Sequence, residues 1–411
     1  MFDQNKNQCL TNTIDFLKEL IRIPSLSGKE EKAIQYIYNA FLPLIDEIEL
    51  IPLSDEIKND ADYSTPISDL QYSGRHNVRT VVKGSGNGQI VLFNTHADIV
   101  PAQPSQFDPF LKDETIYGRG ACDAKGQIAT LYLLLSLLKQ EKIRLKGDVI
   151  IHIVVEEENG GNGTLAAIRN GEKADAAIVM EPTSLKILSS IRGAVWFRVK
   201  TIGKPGHSGS GGKRISAMDL AIEVKQILAG YHQKLLAASK GIPLFDDYEN
   251  PMPITFGKLH AGDWPATIPK HATLEGVLGF LPNKNRFQIM EEFKSEIETH
   301  GSEELKANYD LEFMYRHDAH VLPVNHSLVT TLHRAGEKLN LPTEITAMVA
   351  SCDSWFYNNQ LNIPTVVFGP GDLAVAHSDH EHIKISDLEL AAKALLNFLV
   401  EWCDNIVKRE K

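Results

Sequence analysis

Cysteine is scarce in this sequence. Four of its 411 residues are cysteines (Cys9, Cys122, Cys352, Cys403), far apart and without a CxxC pair. That spacing speaks against a disulfide scaffold and fits a reducing compartment. A basic excess is also missing: 53 Asp and Glu against 42 Lys and Arg give a formal net charge of −11, so the global cationic surface that nucleic acid favours is absent. Long apolar runs are missing too. The greasiest stretch, residues 131–138, is too short to cross a bilayer and is broken by Tyr132 and Ser136. The opening MFDQNKNQCLTNTIDFLKEL is polar where a secretory signal would need an apolar core. The expectation is a soluble cytoplasmic protein with no membrane and no nucleic-acid partner. What is present, 43% hydrophobic and 23% charged residues, is the composition of a folded globular chain. Its length allows two or three domains at roughly 150 residues each.

Apolar spacing at Ile14, Leu17, Leu20 and Ile21 predicts a helix over 13–22. IPSLSGKEEKAIQYIYNAFLPLI (23–45) reads as a turn and a second amphipathic helix, with Ser27 as its cap and Glu30 complementing its dipole. Then come the β-rich runs VRTVVKG (78–84), QIVLFNTHAD (89–98), DVIIHIVVEEE (148–158) and AAIVMEP (176–182), with a helical QIATLYLLLSLLKQ (127–140) among them. Continuous apolar strands alternating with helices imply an α/β sheet covered on both faces. After about Arg192 the texture changes. A strand at 196–204, a helix at 215–236, strands at 253–262 and 271–282, a helix at 286–300 and a strand at 309–316 make a β-α-β-β-α-β order, the split pattern of a separate α+β domain. From about Asn325 the first texture resumes, with a helix near 326–339, the strand IPTVVFGPG (363–371) and a final helix over 385–403. The expected organisation is one discontinuous domain, 1–192 with 318–411, into which 193–317 is inserted.

Polar residues collect at the ends of the apolar strands, where open α/β sheets build their sites. His96 and Asp98 close VLFNTHAD and share one strand face; a neutral histidine can ligate a metal while a carboxylate fixes its tautomer. In YGRGACDAKGQIA (117–129), Gly118, Gly120 and Gly126 surround Asp123, but they complete neither a Walker nor a dinucleotide fingerprint. VVEEENGGNGT (154–164) sets Glu156, Glu157 and Glu158 side by side. Three adjacent carboxylates repel one another, which suits either a solvated loop or a nearby cation that gives each a separate task. Glu181 ends AAIVMEP, and His377 lies in GPGDLAVAHSDHEHI. Alone, each is more simply a surface or structural residue. Together they are an oxygen and nitrogen donor set suited to zinc, cobalt or manganese. No serine sits in a GxSxG elbow, and Cys122 has no positional case as a nucleophile.

HAD (96–98), GRGACDAKG (118–126), EEENGGNGT (156–164), MEPT (180–183), GHSG (206–209) and AHSDHEHI (376–383) occur in one order along the chain. In this set the sequence resembles the di-zinc M20 metallopeptidases. The resemblance implies a mixed-sheet α/β catalytic domain of zinc-aminopeptidase type, carrying an inserted ferredoxin-like α+β lid and dimerisation domain. It implies two divalent ions, zinc or cobalt. Asp123 would bridge them, His96 and Glu181 would complete one, and Glu158 and His377 the other. Glu157 matches the family's general base and acid, and Asp98 the partner that orients His96. A cis peptide directly after Asp123 is expected as well. His207, in GHSG, would reach the partner's site in a homodimer and stabilise an oxyanion.

The implied reaction is hydrolysis of an N-acylated amino acid or related small amide, with acetylornithine first and dipeptides, N-succinyl or N-formyl compounds beside it. Arginines that would hold a substrate carboxylate are replaced by Val277 and Trp355, leaving Arg192 and Lys204 as cationic candidates. A non-catalytic binding protein on the same fold is the different-class alternative.

Overall fold

The computed structural model describes residues 2–404 except 208, 210–213 and 342. The chain opens with helices α1 (Phe2–Ile21) and α2 (Glu31–Phe41), then strands β1 (Glu47–Pro52), β2 (His76–Val82) and β3 (Val91–His96). Short strands β4 (Phe110–Lys112) and β5 (Thr115–Tyr117) precede α3 (Lys125–Gln140), β6 (Val149–Val154), α4 (Asn162–Arg169), β7 (Ala176–Val179) and β8 (Ile187–Ile191). A second set follows: β9 (Gly193–Ile202), α5 (Ala217–Ala238), β10 (Ile254–Ala261), β11 (His271–Phe280), α6 (Arg286–His300), the short α7 (Glu303–Lys306) and β12 (Tyr309–His317). The chain closes with β13 (His320–Val321), α8 (Ser327–Glu337), β14 (Ile345–Met348), a π-helical turn (Phe356–Gln360), β15 (Thr365–Val367), β16 (His382–Lys384) and α9 (Ile385–Trp402).

The large sheet runs β1-β2-β6-β3-β7-β15-β8-β13, with β14 paired to β8. Its centre, β6, β3, β7 and β15, is parallel; β1–β2, β2–β6, β15–β8 and β8–β13 are antiparallel, and β14 joins β8 in parallel. Strand alternation divides the core between its faces. Val91, Phe93, Ile151 and Ile153 pack with α1, α3 and α9, whereas Leu92, Ile150, Ala177 and Val179 pack with α4 and the π-helical turn. Because both faces are covered, these strands read as unbroken apolar runs.

Residues 193–317 build a separate four-stranded antiparallel sheet in the order β10-β11-β9-β12. Val195, Phe197 and Val199 of β9 and Leu274 and Leu278 of β11 meet Leu220, Val224 and Leu228 of α5 and Ile289, Phe293 and Ile297 of α6 in one cluster. This is the ferredoxin-like arrangement, and the unit is called the lid below.

Four details depart from expectation. Helix α1 reaches back to Phe2, since extending a packed helix costs far less than starting one. Ser27 does not cap α2: the helix begins at Glu31, after Glu30, and no side chain caps it. Glu30 is not a dipole partner in solvent either, because its carboxylate accepts from Gly28 N at 2.8 Å and pairs with Arg75 at 2.6 Å. Strands β1, β8, β13 and β14 lack a long apolar alternation and were not expected; pairing with neighbours already in place makes them strands.

Candidate metal centre

The four parallel strands point their carboxyl ends the same way, and His96, Glu157, Glu158 and Glu181 stand at or just past those ends. His96 is the last residue of β3 and is buried. Its Nε2 lies 3.0 Å from Asp123 Oδ1 and 3.9 Å from Glu181 Oε1, and its Nδ1 lies 3.0 Å from the carbonyl of Asp98 and 3.5 Å from Asp98 Oδ1. On the other side of Asp123, Oδ2 is 3.3 Å from His377 Nε2, which in turn is 3.1 Å from Glu158 Oε1. One carboxylate therefore faces both histidines. Ligand atoms of His96, Glu157 and Glu181 fall within 4.8 Å of one another, as do those of His96, Asp123 and Glu158. Asp98 is buried and accepts the backbone N–H groups of Glu157 at 3.2 Å and Glu158 at 3.1 Å, so it holds the acidic turn as well as facing His96.

The turn carrying Asp123 is fixed from several directions. The Asp123–Ala124 peptide is cis. A Cβ at Gly126 would stand 2.2 Å from the carbonyl oxygen of Ala121, so only glycine allows this close approach. Glu381 Oε1 accepts from the backbone of both Cys122 and Asp123 at 3.0 Å, and its other oxygen is held by Arg119. Lys125 is fully buried and donates to the carbonyls of Ile23 at 2.7 Å and Leu20 at 3.0 Å; burial pulls its ammonium down to about 7. Glu381, Arg119 and Lys125 were not anticipated as supporting residues. Glu381 was visible only as one residue of AHSDHEHI, with nothing local to mark it.

Burial and the neighbouring Glu181 push the Glu157 carboxyl well up, and burial followed by Asp123 raises Glu158. Burial disfavours the imidazolium of His96, yet its bonds to Asp123 and Asp98 outweigh this and raise it. Bonds to Asp123 and Glu158 lift His377 to about 10. Asp353, buried behind the site, accepts from Thr164 Oγ1 at 2.5 Å and is pushed up to about 7 by burial. Among the described residues, no lysine or arginine is ion-paired with Asp98, Asp123, Glu157, Glu158 or Glu181. Carboxylates gathered on two histidines without such a counter-charge make a candidate site for cations.

Over residues 92–401 the chain matches the signature of Peptidase family M20/M25/M40. The chain belongs to the M20 peptidase family. It is accordingly a hydrolytic enzyme acting on amides. The M20 chain is 27% identical over 370 residues to the N-formyl-4-amino-5-aminomethyl-2-methylpyrimidine deformylase of Bacillus subtilis, covering 81% of this chain and 84% of that protein. It is 24% identical over 402 residues to an acetylornithine deacetylase of Buchnera aphidicola, covering 95% and 98%. In fold it is similar to a dipeptidase of Saccharomyces cerevisiae, with a TM-score of 0.79 at 14% identity over 98% of each chain.

The remaining residues of this M20 enzyme lie elsewhere. His207 is exposed on the lid, where its backbone bridges Thr267, and is not gathered with the donors. Val277 lines a lid cavity of about 140 Å³ with Trp196, Met314 and Pro66. Trp355 is buried, stacked on His317 at 4.4 Å, with the Arg286 guanidinium 4.9 Å from its ring. Arg192 is buried and donates to the carbonyls of Val349 at 2.5 Å and Gly193 at 3.0 Å, and burial lowers it to about 10. Lys204 is exposed and bridges Ile215 through its backbone. No helix among the described residues is long and apolar enough to cross a membrane.

Proposed function

We propose that this M20 enzyme hydrolyses the amide bond of an N-acylated amino acid or related small amide, with two divalent cations in the strand-end site. The observation that carries the reading is the charge deficit: five carboxylates converge on two histidines without a lysine or arginine counter-charge among the described residues. His96, Asp123 and Glu181 would hold one ion, and Asp123, Glu158 and His377 the other. Facing a different histidine with each oxygen suits Asp123 to a bridging role. The mixed nitrogen and oxygen set suits zinc, with cobalt as the alternative. When bound, the ions would polarise the amide carbonyl and make water more acidic.

Glu157 takes the proton of the attacking water and returns it to the leaving amine. Asp98 orients His96 and fixes the backbone of Glu157 and Glu158. His207, exposed on the lid, is assigned to the oxyanion of the partner's site in a homodimer. The four cysteines are free thiols, which fits the cytoplasm.

Acetylornithine is the first substrate of this reading. The N-formyl amide of a less charged amine is the second, favoured by the Bacillus subtilis relative and by Val277 and Trp355, which offer a carboxylate no cation. The test is a panel of N-acetyl, N-succinyl and N-formyl amino acids, an N-formyl aminomethylpyrimidine and dipeptides, assayed with zinc or cobalt. Turnover of one class that a chelator abolishes is expected. Tight metal binding with no turnover on any of them would leave a binding protein instead.

A further inference from the structure

Beside the site lies a second buried ionic cluster that the reaction does not use. Glu156, the neighbour of Glu157, is buried with a left-handed backbone (φ 64°). Its carboxylate pairs with Arg75 at 2.5 Å, accepts from Tyr72 Oη at 2.6 Å and accepts from Asn162 Nδ2 at 3.3 Å. Arg75 also holds Glu30 through Nη2 at 2.6 Å and Nε at 3.0 Å. Asn162 reaches further. Its Oδ1 accepts from Ser64 N at 2.9 Å and its Nδ2 donates to Ser64 O at 3.0 Å, gripping one residue of the segment between β1 and β2 by both backbone groups.

The same segment is bound to the lid. Thr65 N donates to Met314 O at 2.7 Å and Thr65 Oγ1 to Glu312 at 3.0 Å; Arg316 donates to the carbonyls of Ala61 and Tyr63 at 3.1 and 2.8 Å. Arg286 pairs with Asp62 at 2.7 Å. The turn after Glu157 closes against both parts: a Cβ on Gly160 (φ 105°) would stand 2.5 Å from Ser64 Cβ and 2.7 Å from the Tyr315 ring. Residues 61–65 are thus bolted to the acidic turn on one side and to lid strand β12 on the other.

We propose that Arg75, Glu156 and Asn162 are positioning residues for Glu157: they fix the Glu156–Gly161 turn and tie it through residues 61–65 to β12, so that lid docking and the aim of Glu157 are set together. The inference rests on Glu157 acting as the general base. Misplacing a catalytic group by about 1 Å can cost about 100-fold in rate, so a cluster that never touches substrate can still govern turnover. A buried ion pair is by itself weak evidence of stabilisation, which leaves geometry as the reason for this one.

The test uses the full-length, metal-loaded protein and its Asn162→Ala and Arg75→Lys variants, with spin labels at Lys29→Cys and Lys294→Cys reporting the distance between catalytic domain and lid. For Asn162→Ala, kcat should fall about 10- to 100-fold with KM within about threefold and bound metal per chain at the wild-type value, while the distance distribution broadens. Arg75→Lys should fall between it and wild type. Lowered thermal stability with kcat within about twofold of wild type would overturn the proposal as a purely structural role. A fall in kcat at an unchanged distance distribution would overturn the link to the lid. If the wild type hydrolyses no amide, the function is wrong, yet the distance measurement on the metal-free protein still decides whether the grip on Ser64 sets the lid.

Discussion

Two clusters of carboxylates, one buried and one largely so, lie side by side in this enzyme and solve the same problem differently. In one, Glu30 and Glu156 close on Arg75, so the chain supplies its own cation. In the other, Asp98, Asp123, Glu157, Glu158 and Glu181 close on His96 and His377, and negative charge is left over. Ionised carboxylates out of water are too costly to leave unpaired. A cluster that carries its own guanidinium is therefore read as architecture, and one with no lysine or arginine as a candidate site for charge from outside. The boundary falls between Glu156 and Glu157, two adjacent residues of one acidic run.

Substitutions can break this contrast at its strongest point first. Glu157→Gln removes the proposed base but keeps its shape, and should lower kcat by about 100- to 10,000-fold while bound metal, measured by elemental analysis, stays at the wild-type value. Wild-type activity in that variant would sink the assignment. Glu381→Gln weakens the grip on Asp123 from behind; metal affinity measured by calorimetry should fall about 10- to 100-fold with less effect on kcat at saturating metal.

Stability against pH should separate the histidine of the candidate metal site from a paired carboxylate outside both clusters by sign. In the metal-free protein the proton affinity of His377 is raised to about 10, so its contribution is full below the unfolded value near 6.5 and is lost as pH rises toward 10. Thermal denaturation of metal-free protein should therefore weaken over that window, and added zinc should restore it. Glu172 behaves oppositely. Burial would raise it, but His152 and Arg79 hold it down to about 2, so its contribution is full above the unfolded value near 4.3 and is lost as pH falls toward 2. Zinc should not alter that acid limb. The smallest effect belongs to Ser27→Ala, which removes no cap and should change stability by less than about 0.5 kcal/mol in urea titration.

Much of the site was legible along the chain because its residues follow apolar strands, and strand ends are visible as the point where an apolar run meets polar residues. His96, Glu158 and Glu181 stand at such ends, and Asp123 in a glycine-rich turn. Glu381 was not legible as the support of Asp123: it bonds a backbone N–H 258 residues away, and no local pattern encodes such a meeting. Arg75, Tyr72 and Asn162 were missed for the same reason. Ser27 misled because a serine before a helix resembles a cap whether or not its side chain turns toward the free N–H groups.

The sequence by itself determined the long helices, the central apolar strands, the β-α-β-β-α-β order of the insertion and the chemical character of the strand-end residues. All of these are carried by local periodicity and short motifs. Only the tertiary structure decided which member of the acidic run meets an arginine and which does not. That depends on Arg75 arriving from a segment more than seventy residues earlier, and on a left-handed residue at Glu156 that turns its carboxylate away from its neighbours. Charge pairing across such separations is set by the folded path of the chain, and this path leaves Glu157 and Glu158 facing two histidines.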